Sequence, residues 1–202
     1  IMKKLTLYIL LILPGFAHSQ IGERFDPGFI IDKFGARYDG FLRMEPGDGK
    51  TAGQLLFKES RKSKKDTYGP EYLTAFKIGS DSFAVLKNIP LPNKKTVKAD
   101  FAKVMLVGSG GALYFQEYLK AKSTGHAAAD YKISEENSRY LVSINGKLVI
   151  LTKNNFKDFA AVVSDFEDLK ARIQNRKVKF SDLPNLIAEY KAFKEQDFST
   201  KK

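Results

Sequence analysis

Residues 140–151 read Tyr-Leu-Val-Ser-Ile-Asn-Gly-Lys-Leu-Val-Ile-Leu, and this stretch decides the fold class. Two runs rich in β-branched and large apolar residues flank Asn145-Gly146. Asn-Gly is the preferred pair for a two-residue type I′ turn, because both turn positions need a positive φ. Strands joined by so short a turn pair antiparallel. The stretch therefore predicts an antiparallel β-hairpin.

Two earlier segments follow the same plan of strand, turn and strand. Residues 28–32 and 37–44 flank Gly35, which predicts a hairpin with that glycine at its turn. Residues 101–107 and 112–118 flank the run Gly108-Ser-Gly-Gly. A glycine run can cradle phosphate where it leads into a helix N-terminus, but this one leads into Leu-Tyr-Phe, which is typical of a strand. A hairpin turn is therefore predicted there.

The pattern changes from strands to helices near Asn154. Apolar residues then recur at helical spacing, namely Phe156, Phe159, Ala160 and Val163. Asp165 is expected to cap a helix over 166–174, and Ser181 to cap a last helix that tolerates Pro184 in its first turn.

Strands followed by helices predict an α+β fold. The expected architecture is an antiparallel sheet of hairpins or a meander, for which an open and a barrel-like form both fit, followed by two or three C-terminal helices. Residues 20–202 are interpreted as a single β-rich domain, with a helical segment at about 154–195.

The first nineteen residues have the three-part layout of a secretory signal peptide. Lys3 and Lys4 precede the apolar run 5–16, and Ala17-His18-Ser19 places small residues before a cut at Gln20. The apolar run is shorter than the roughly 20 residues that a membrane-spanning helix needs. The sequence therefore predicts a periplasmic or secreted protein with no transmembrane span after cleavage. Because the chain contains no Cys, it is predicted not to be a lipoprotein and to fold without disulfides.

The charge balance is strongly basic. Lys and Arg number 34 against 23 Asp and Glu, which gives a net charge of +11, or +9 once Lys3 and Lys4 are removed. Such a charge favours anionic partners, although solubility alone also explains it. Export argues against nucleic acid, so the expected partner is an anionic envelope surface or a glycan.

One local run concentrates this charge. It is predicted to be an anion-binding loop formed by Lys58, Arg61, Lys62, Lys64 and Lys65. Lys94, Lys95 and Lys98 add to the same field if they fold nearby. The alternative is a solvated hairpin tip without a ligand.

Residues for catalysis are scarce. After cleavage the sole histidine is His126, in a loop without a nucleophile elbow, and without Cys neither a zinc site nor a catalytic triad is predicted. Nothing in the spacing of Asp39, Glu45, Glu71 and Glu117 marks a hydrolytic pair. No cofactor is predicted. Eight aromatic residues are expected in the core rather than on a ligand platform: Tyr38, Phe41, Phe57, Phe76, Phe83, Phe101, Tyr114 and Phe115.

The order of short motifs carries a resemblance over most of the chain after residue 19. Those motifs are Tyr38-Asp39-Gly40-Phe41, Leu55-Leu56-Phe57-Lys58, Tyr68-Gly69-Pro70, residues 74–79, residues 101–108 and Leu113-Tyr114. The pattern resembles a broad group of uncharacterised exported β-rich proteins from Bacteroidetes. That group commonly carries an Asp-Cys-Pro motif and a final Tyr-Asn, where this chain has Asp165-Phe166-Glu167 and Tyr190-Lys191. The resemblance implies export and a β-rich fold and brings no catalytic residues.

These observations lead to a hypothesis about function. The chain is interpreted as an exported cell-envelope protein, a non-enzymatic binding or structural module. One alternative is a carboxylate-dependent glycan hydrolase, and another is electrostatic docking to an anionic outer-membrane surface.

Overall fold

The computed structural model describes residues 24–48, 51–91, 96–121, 131–133 and 138–200. The predicted signal peptide, His126, Lys94 and Lys95 lie outside the described residues. The described chain forms an antiparallel sheet of ten strands, a separate two-stranded ribbon and three α-helices. This confirms the predicted α+β fold.

The strands are β1 (Asp26–Asp32), β2 (Arg37–Glu45), β3 (Gln54–Lys58), β4 (Asp66–Tyr68), β5 (Leu73–Ile78), β6 (Asp81–Pro90), β7 (Thr96–Gly108), β8 (Gly111–Gln116), β9 (Leu119–Ala121), β10 (Tyr131–Ile133), β11 (Arg139–Ile144) and β12 (Lys147–Leu151). The helices are α1 (Phe159–Val162), α2 (Glu167–Gln174) and α3 (Leu183–Thr200), with 3₁₀ turns at Phe156–Asp158 and Phe180–Asp182.

The large sheet has the order β12-β11-β8-β7-β6-β5-β1-β2-β3-β4, and β9 pairs with β10 apart from it. Most neighbours are consecutive along the chain, but β1 lies between β2 and β5. The sheet is open rather than a closed barrel, although β12 contacts β6 across one of its faces.

The predicted turns are present, and they show two uses of glycine. Asn145 and Gly146 have φ values of 51° and 75°, as a type I′ turn requires. At Gly108 the reason is packing, since a Cβ there would lie 1.7 Å from the carbonyl oxygen of Val162. Helix α1 therefore rests directly on the β7–β8 turn, and glycine permits that approach.

The strands bury side chains on both faces of the sheet. Phe101 of β7 packs into a core formed by β1–β3, β5 and β7, whereas its neighbour Ala102 faces a second core with Leu141 of β11. The three helices cover β7, β8, β11 and β12 on the Phe101 side and form the largest core, around Phe159 and Tyr190. Three of the aromatic residues expected in the core belong to none of these cores. Tyr38 is 49% exposed, Phe41 lies half-buried on the other face of β2, and Phe115 is half-buried beside Tyr140.

Two expected helix caps are wrong in detail. Asp165 does not cap α2, which begins at Glu167 after Phe166 and has no side-chain cap. Its carboxylate instead accepts hydrogen bonds from Tyr190 Oη at 2.6 Å and from Lys194 Nζ at 2.8 Å on α3. Before α3, Asp182 rather than Ser181 makes the capping contact, since its carboxylate accepts the backbone N–H of Lys179 at 2.8 Å and so caps the 3₁₀ turn that leads into the helix. In the first case, the side chains of Tyr190 and Lys194 bind the Asp165 carboxylate in place of the backbone N–H groups at the start of α2.

None of the helices in the described part of the chain is long and apolar enough to cross a membrane.

Candidate functional site

The predicted anion-binding loop connects β3 to β4, and hydrogen bonds between its own residues form a turn. Ser63 donates its backbone N–H to Ser60 O at 3.1 Å, and the two hydroxyl oxygens lie 2.8 Å apart. Lys62 and Lys64 are exposed, and among the described residues they form no ion pair. The turn thus holds the backbone while it leaves these cations to solvent.

Two of the five predicted cations lie against aromatic rings. Lys58 Nζ lies 4.6 Å from the ring centroid of Phe25, and Arg61 Cζ lies 4.8 Å from that of Phe41. Cations at this distance over a ring are attracted by its negative face, by about 0.5–1 kcal/mol at exposed sites. The rings therefore favour one arrangement of long side chains that would otherwise be mobile.

Strand alternation extends this arrangement along β2. Residues 37, 39, 41, 43 and 45 project from the same face of β2, since successive side chains point to opposite faces. On that face Arg37 Cζ lies 3.8 Å from the Phe29 ring, and Arg43 Cζ lies 5.6 Å from the Phe25 ring. We call the three rings and their four cations the cation–aromatic face. It consists of Phe25, Phe29, Phe41, Arg37, Arg43, Lys58 and Arg61.

Carboxylates neutralise part of this face. Arg37 donates to Asp39 at 2.6 Å, and Arg43 pairs with Glu45. Residues 58–65, by contrast, contain five cations and one carboxylate, Glu59. The excess positive charge therefore lies in the loop, beside the cation–aromatic face.

The face is shallow. Phe29, Phe41, Arg37, Asp39 and Glu59 help to line an open depression of about 560 Å³. An enclosed small molecule would be poorly held there, because enzyme and cofactor pockets are concave and bury most of their ligand. A polymer or an extended surface fits this shape better.

The two β2 acids named as hydrolytic candidates do not form a pair. Asp39 and Glu45 are six residues apart on β2, which corresponds to about 20 Å along a strand. Each is engaged by an arginine of the same strand. A glycosidase needs its two acids within roughly 5–10 Å, so these two residues cannot serve that chemistry together.

A deeper groove of about 700 Å³ lies between β7 and α3. Two of its lysines are engaged by carboxylates, Lys103 by Asp81 at 2.7 Å and Lys194 by Asp165 at 2.8 Å. Burial alone would raise the pKa of Asp165, but hydrogen bonds from Lys194 and Tyr190 outweigh it, and that pKa lies below its ordinary value. The groove therefore has mixed charge and no excess comparable with that of the loop.

A buried polar cluster links three strands and was not expected from the sequence. Asp100 Oδ1 accepts the backbone N–H groups of Gly53 and Phe101, each at 2.8 Å. Its Oδ2 accepts Gln116 Nε2 at 2.8 Å, and Gln116 Oε1 in turn accepts Arg139 Nε at 3.1 Å. Asp100 is 2% exposed and Gln116 is 1% exposed. Since these acceptors are occupied and out of reach of solvent, the cluster serves structure rather than ligand binding.

Arg139 completes the cluster at its solvent side. It donates to Pro90 O at 2.9 Å, pairs with Tyr118 Oη, and lies 4.9 Å from the Tyr118 ring centroid. Burial raises the pKa of Tyr118 to about 12. Burial also raises the pKa of Asp100, against the opposing effect of its hydrogen bonds and of Arg139.

Of the additional cations considered for the loop, Lys98 lies on β7, which is not a neighbour of β3 in the sheet. The sequence alone did not identify the arginines of β2 as part of the site. The spacing of two residues between Arg37, Asp39, Phe41 and Arg43 can be read from the sequence. The rings under the two arginines, however, belong to Phe29 and Phe25, and only the pairing register of β1 with β2 places them there.

Among the described residues there is no group of three or more His, Cys, Asp or Glu side chains placed to hold a metal ion. Comparison with protein-family models, with curated proteins and with solved structures finds no match to this chain.

Proposed function

We propose that this chain is a non-enzymatic binding module of the cell envelope, which holds a polyanion against the loop 58–65 and the adjoining cation–aromatic face. Export rests on the predicted signal peptide, and the binding role rests on the geometry of the loop.

The observation that carries the proposal is the combination of excess charge and preordered cations. Arg61 and Lys58 are each positioned over a ring, while Lys62 and Lys64 extend from a hydrogen-bonded turn. A guanidinium stacked on a ring keeps its N–H donors at the edge, where a carboxylate, sulfate or phosphate can bind them. Ordering the cations in advance also lowers the entropy cost of binding.

The shape of the site supports a polymer or surface over a small ligand, because the depression beside the loop is shallow. The local field acts over about 8–10 Å at physiological salt, which suits contact with many fixed negative charges.

Retention on immobilised heparin, a sulfated polyanion, tests the proposal. The variant Lys62→Gln/Lys64→Gln/Lys65→Gln is compared with Lys147→Gln/Lys153→Gln/Lys177→Gln, which removes the same charge from exposed positions in the C-terminal half. By analogy with phosphate contacts, each lost contact lowers the slope of log affinity against log salt by about one. We expect the loop variant to elute at clearly lower salt than wild type, and the control to elute close to wild type.

Equal elution of all three proteins would contradict the proposal, because binding would then not pass through the loop. Equal losses in the two variants would also contradict it, because net charge alone would explain the retention.

A further inference from the structure

The most exposed large apolar side chain among the described residues lies at the β1–β2 turn. Phe34 is 83% exposed, and its ring projects from the tip of the hairpin. Soluble proteins tolerate single apolar residues at the surface, so exposure alone carries no conclusion. Three further observations make this position unusual.

First, hydrogen bonds fix the backbone of the turn that carries Phe34. Asp32 Oδ1 accepts the backbone N–H groups of both Phe34 and Ala36, each at 2.8 Å. Gly35 adopts a φ of 88°, and the backbone N–H of Lys33 is bound by Tyr72 O at 2.9 Å. The exposed ring therefore stands on a preformed support.

Second, a cation and another aromatic residue accompany it. Lys33 Nζ lies 5.1 Å from the ring centroid of Phe34 and 5.8 Å from that of Tyr72, which is 50% exposed. We call Lys33, Phe34 and Tyr72 the aromatic tip. Tyr and Lys suit the membrane–water interface because they combine apolar surface with a polar or charged group, and Phe is among the apolar residues that interfacial segments bury there.

Third, the aromatic tip and the basic loop lie at the same end of the β1–β3 segment. Because β2 runs antiparallel to both β1 and β3, the β1–β2 and β3–β4 connections emerge at one end of β2. An apolar wedge and an excess of cations thus face the same direction. An anionic bilayer offers both complementary partners, an acyl boundary and negative headgroups.

A glycan fits the tip less well. Sugar rings stack on open aromatic faces, whereas Lys33 lies over both of these rings. A glycan would have to displace that ammonium, but a bilayer would receive it among the headgroup phosphates.

We propose that the aromatic tip inserts into the interface of an anionic lipid bilayer, so that the polyanion held by the basic loop is the headgroup surface. This inference rests on the proposed function and names its partner.

Because the chain contains no Trp, the variant Phe34→Trp carries a single indole fluorophore. It is mixed with vesicles of phosphatidylcholine and phosphatidylglycerol, and with vesicles of phosphatidylcholine alone. Val107→Trp is the matched control, because Val107 is 67% exposed on β7, away from the tip. We expect the emission of Phe34→Trp to move to shorter wavelength with the anionic vesicles and that of Val107→Trp to stay unchanged. An unchanged Phe34→Trp spectrum would overturn the inference. A short-wavelength spectrum without vesicles would overturn it too, since the tip would then be covered by another copy of the chain.

Vesicle flotation provides a second measurement with a different readout. We expect Phe34→Ala to bind anionic vesicles about tenfold more weakly than wild type, with an unchanged salt slope, because only apolar burial is lost. Equal vesicle binding by Phe34→Ala and wild type would overturn the inference.

The two proposals fail in distinguishable ways. Heparin retention that depends on the loop, without any vesicle binding, would sink the bilayer inference and leave the polyanion proposal standing. Absence of both kinds of binding would sink both.

Discussion

The cluster around Asp100 yields the sharpest prediction about stability. Replacement of Asp100 by Ala removes the acceptor of three hydrogen bonds, from Gly53 N, Phe101 N and Gln116 Nε2. Each donor is left in a buried site, and an unsatisfied buried donor costs about 1–3 kcal/mol. The half-buried Arg139 also loses its nearby countercharge. We expect Asp100→Ala to lower the free energy of unfolding by about 3–5 kcal/mol, the range found when one partner of a buried charged network is removed.

The variant Asp100→Asn separates the contribution of the two backbone hydrogen bonds from that of the hydrogen bond with Gln116. Its side-chain oxygen can still accept both backbone N–H groups, but its amide nitrogen would face Gln116 Nε2, so that two donors oppose each other. We expect a smaller loss of about 1–2 kcal/mol. The exposed carboxylate Glu167, which pairs with Lys170 at the surface, provides the control Glu167→Gln, for which a change below about 0.5 kcal/mol is expected.

Urea denaturation followed by far-UV circular dichroism measures all three variants. The reasoning predicts the order of stability loss Ala, then Asn, then the control. A free energy of unfolding for Asp100→Ala within about 1 kcal/mol of wild type would refute this reasoning, because removal of the common acceptor leaves several buried donors unsatisfied.

The pH dependence of stability checks the same cluster independently. Burial raises the folded-state pKa of Asp100 above its ordinary value. Such a group contributes stability that is fully present below its unfolded pKa and is lost as the pH rises through the folded pKa. Relative to Asp100→Asn, which does not titrate, wild type should therefore gain stability as the pH falls from neutral towards about 4. A stability difference between the two proteins that does not change with pH in this window would contradict the raised pKa.

Two further predictions concern the packing of the helices. We expect Gly108→Ala to cost about 3 kcal/mol in thermal unfolding, because the new Cβ meets Val162 O, whereas Gly146→Ala should cost about 1 kcal/mol from its positive φ alone; equal costs would show that the turn shifts freely. Tyr190→Phe removes the 2.6 Å hydrogen bond to Asp165 and should cost about 1.5–3 kcal/mol at neutral pH. The pKa of Asp165 is lowered in the fold, so its stabilising contribution is present above its unfolded pKa and lost as the pH falls through the folded one. In Tyr190→Phe the free energy of unfolding should therefore decrease less at acid pH than it does in wild type. The same decrease in both proteins would argue against the hydrogen bond.

Much of the fold could be predicted because short local sequence patterns determine its turns and the type of each element. Asn145-Gly146 and Gly35 are typical of hairpin turns, and the segments that they join are rich in β-branched and large apolar residues. The change to helical spacing near Asn154 is equally local. The expected loop of cations was also visible as a run of charge, and its role in binding stays a prediction.

Other features depended on contacts between distant segments. The sequence did not predict that β1 lies beside β5, that β8 pairs with β11 and so brings Arg139 to Gln116, or that Gly53 contacts Asp100. Asp165 had the sequence position of a helix cap, yet the tertiary contacts with Tyr190 and Lys194 decided its role.

By itself, the sequence determined the order of strands, turns and helices, since backbone preferences act over a few residues. Only the tertiary structure decided which face of each strand is covered and which is open to a partner. Phe57 and Tyr38 were both expected in the core from the sequence, yet the first is 6% exposed and the second is 49% exposed. Burial depends on what the rest of the chain places above a side chain, and no local pattern contains that information.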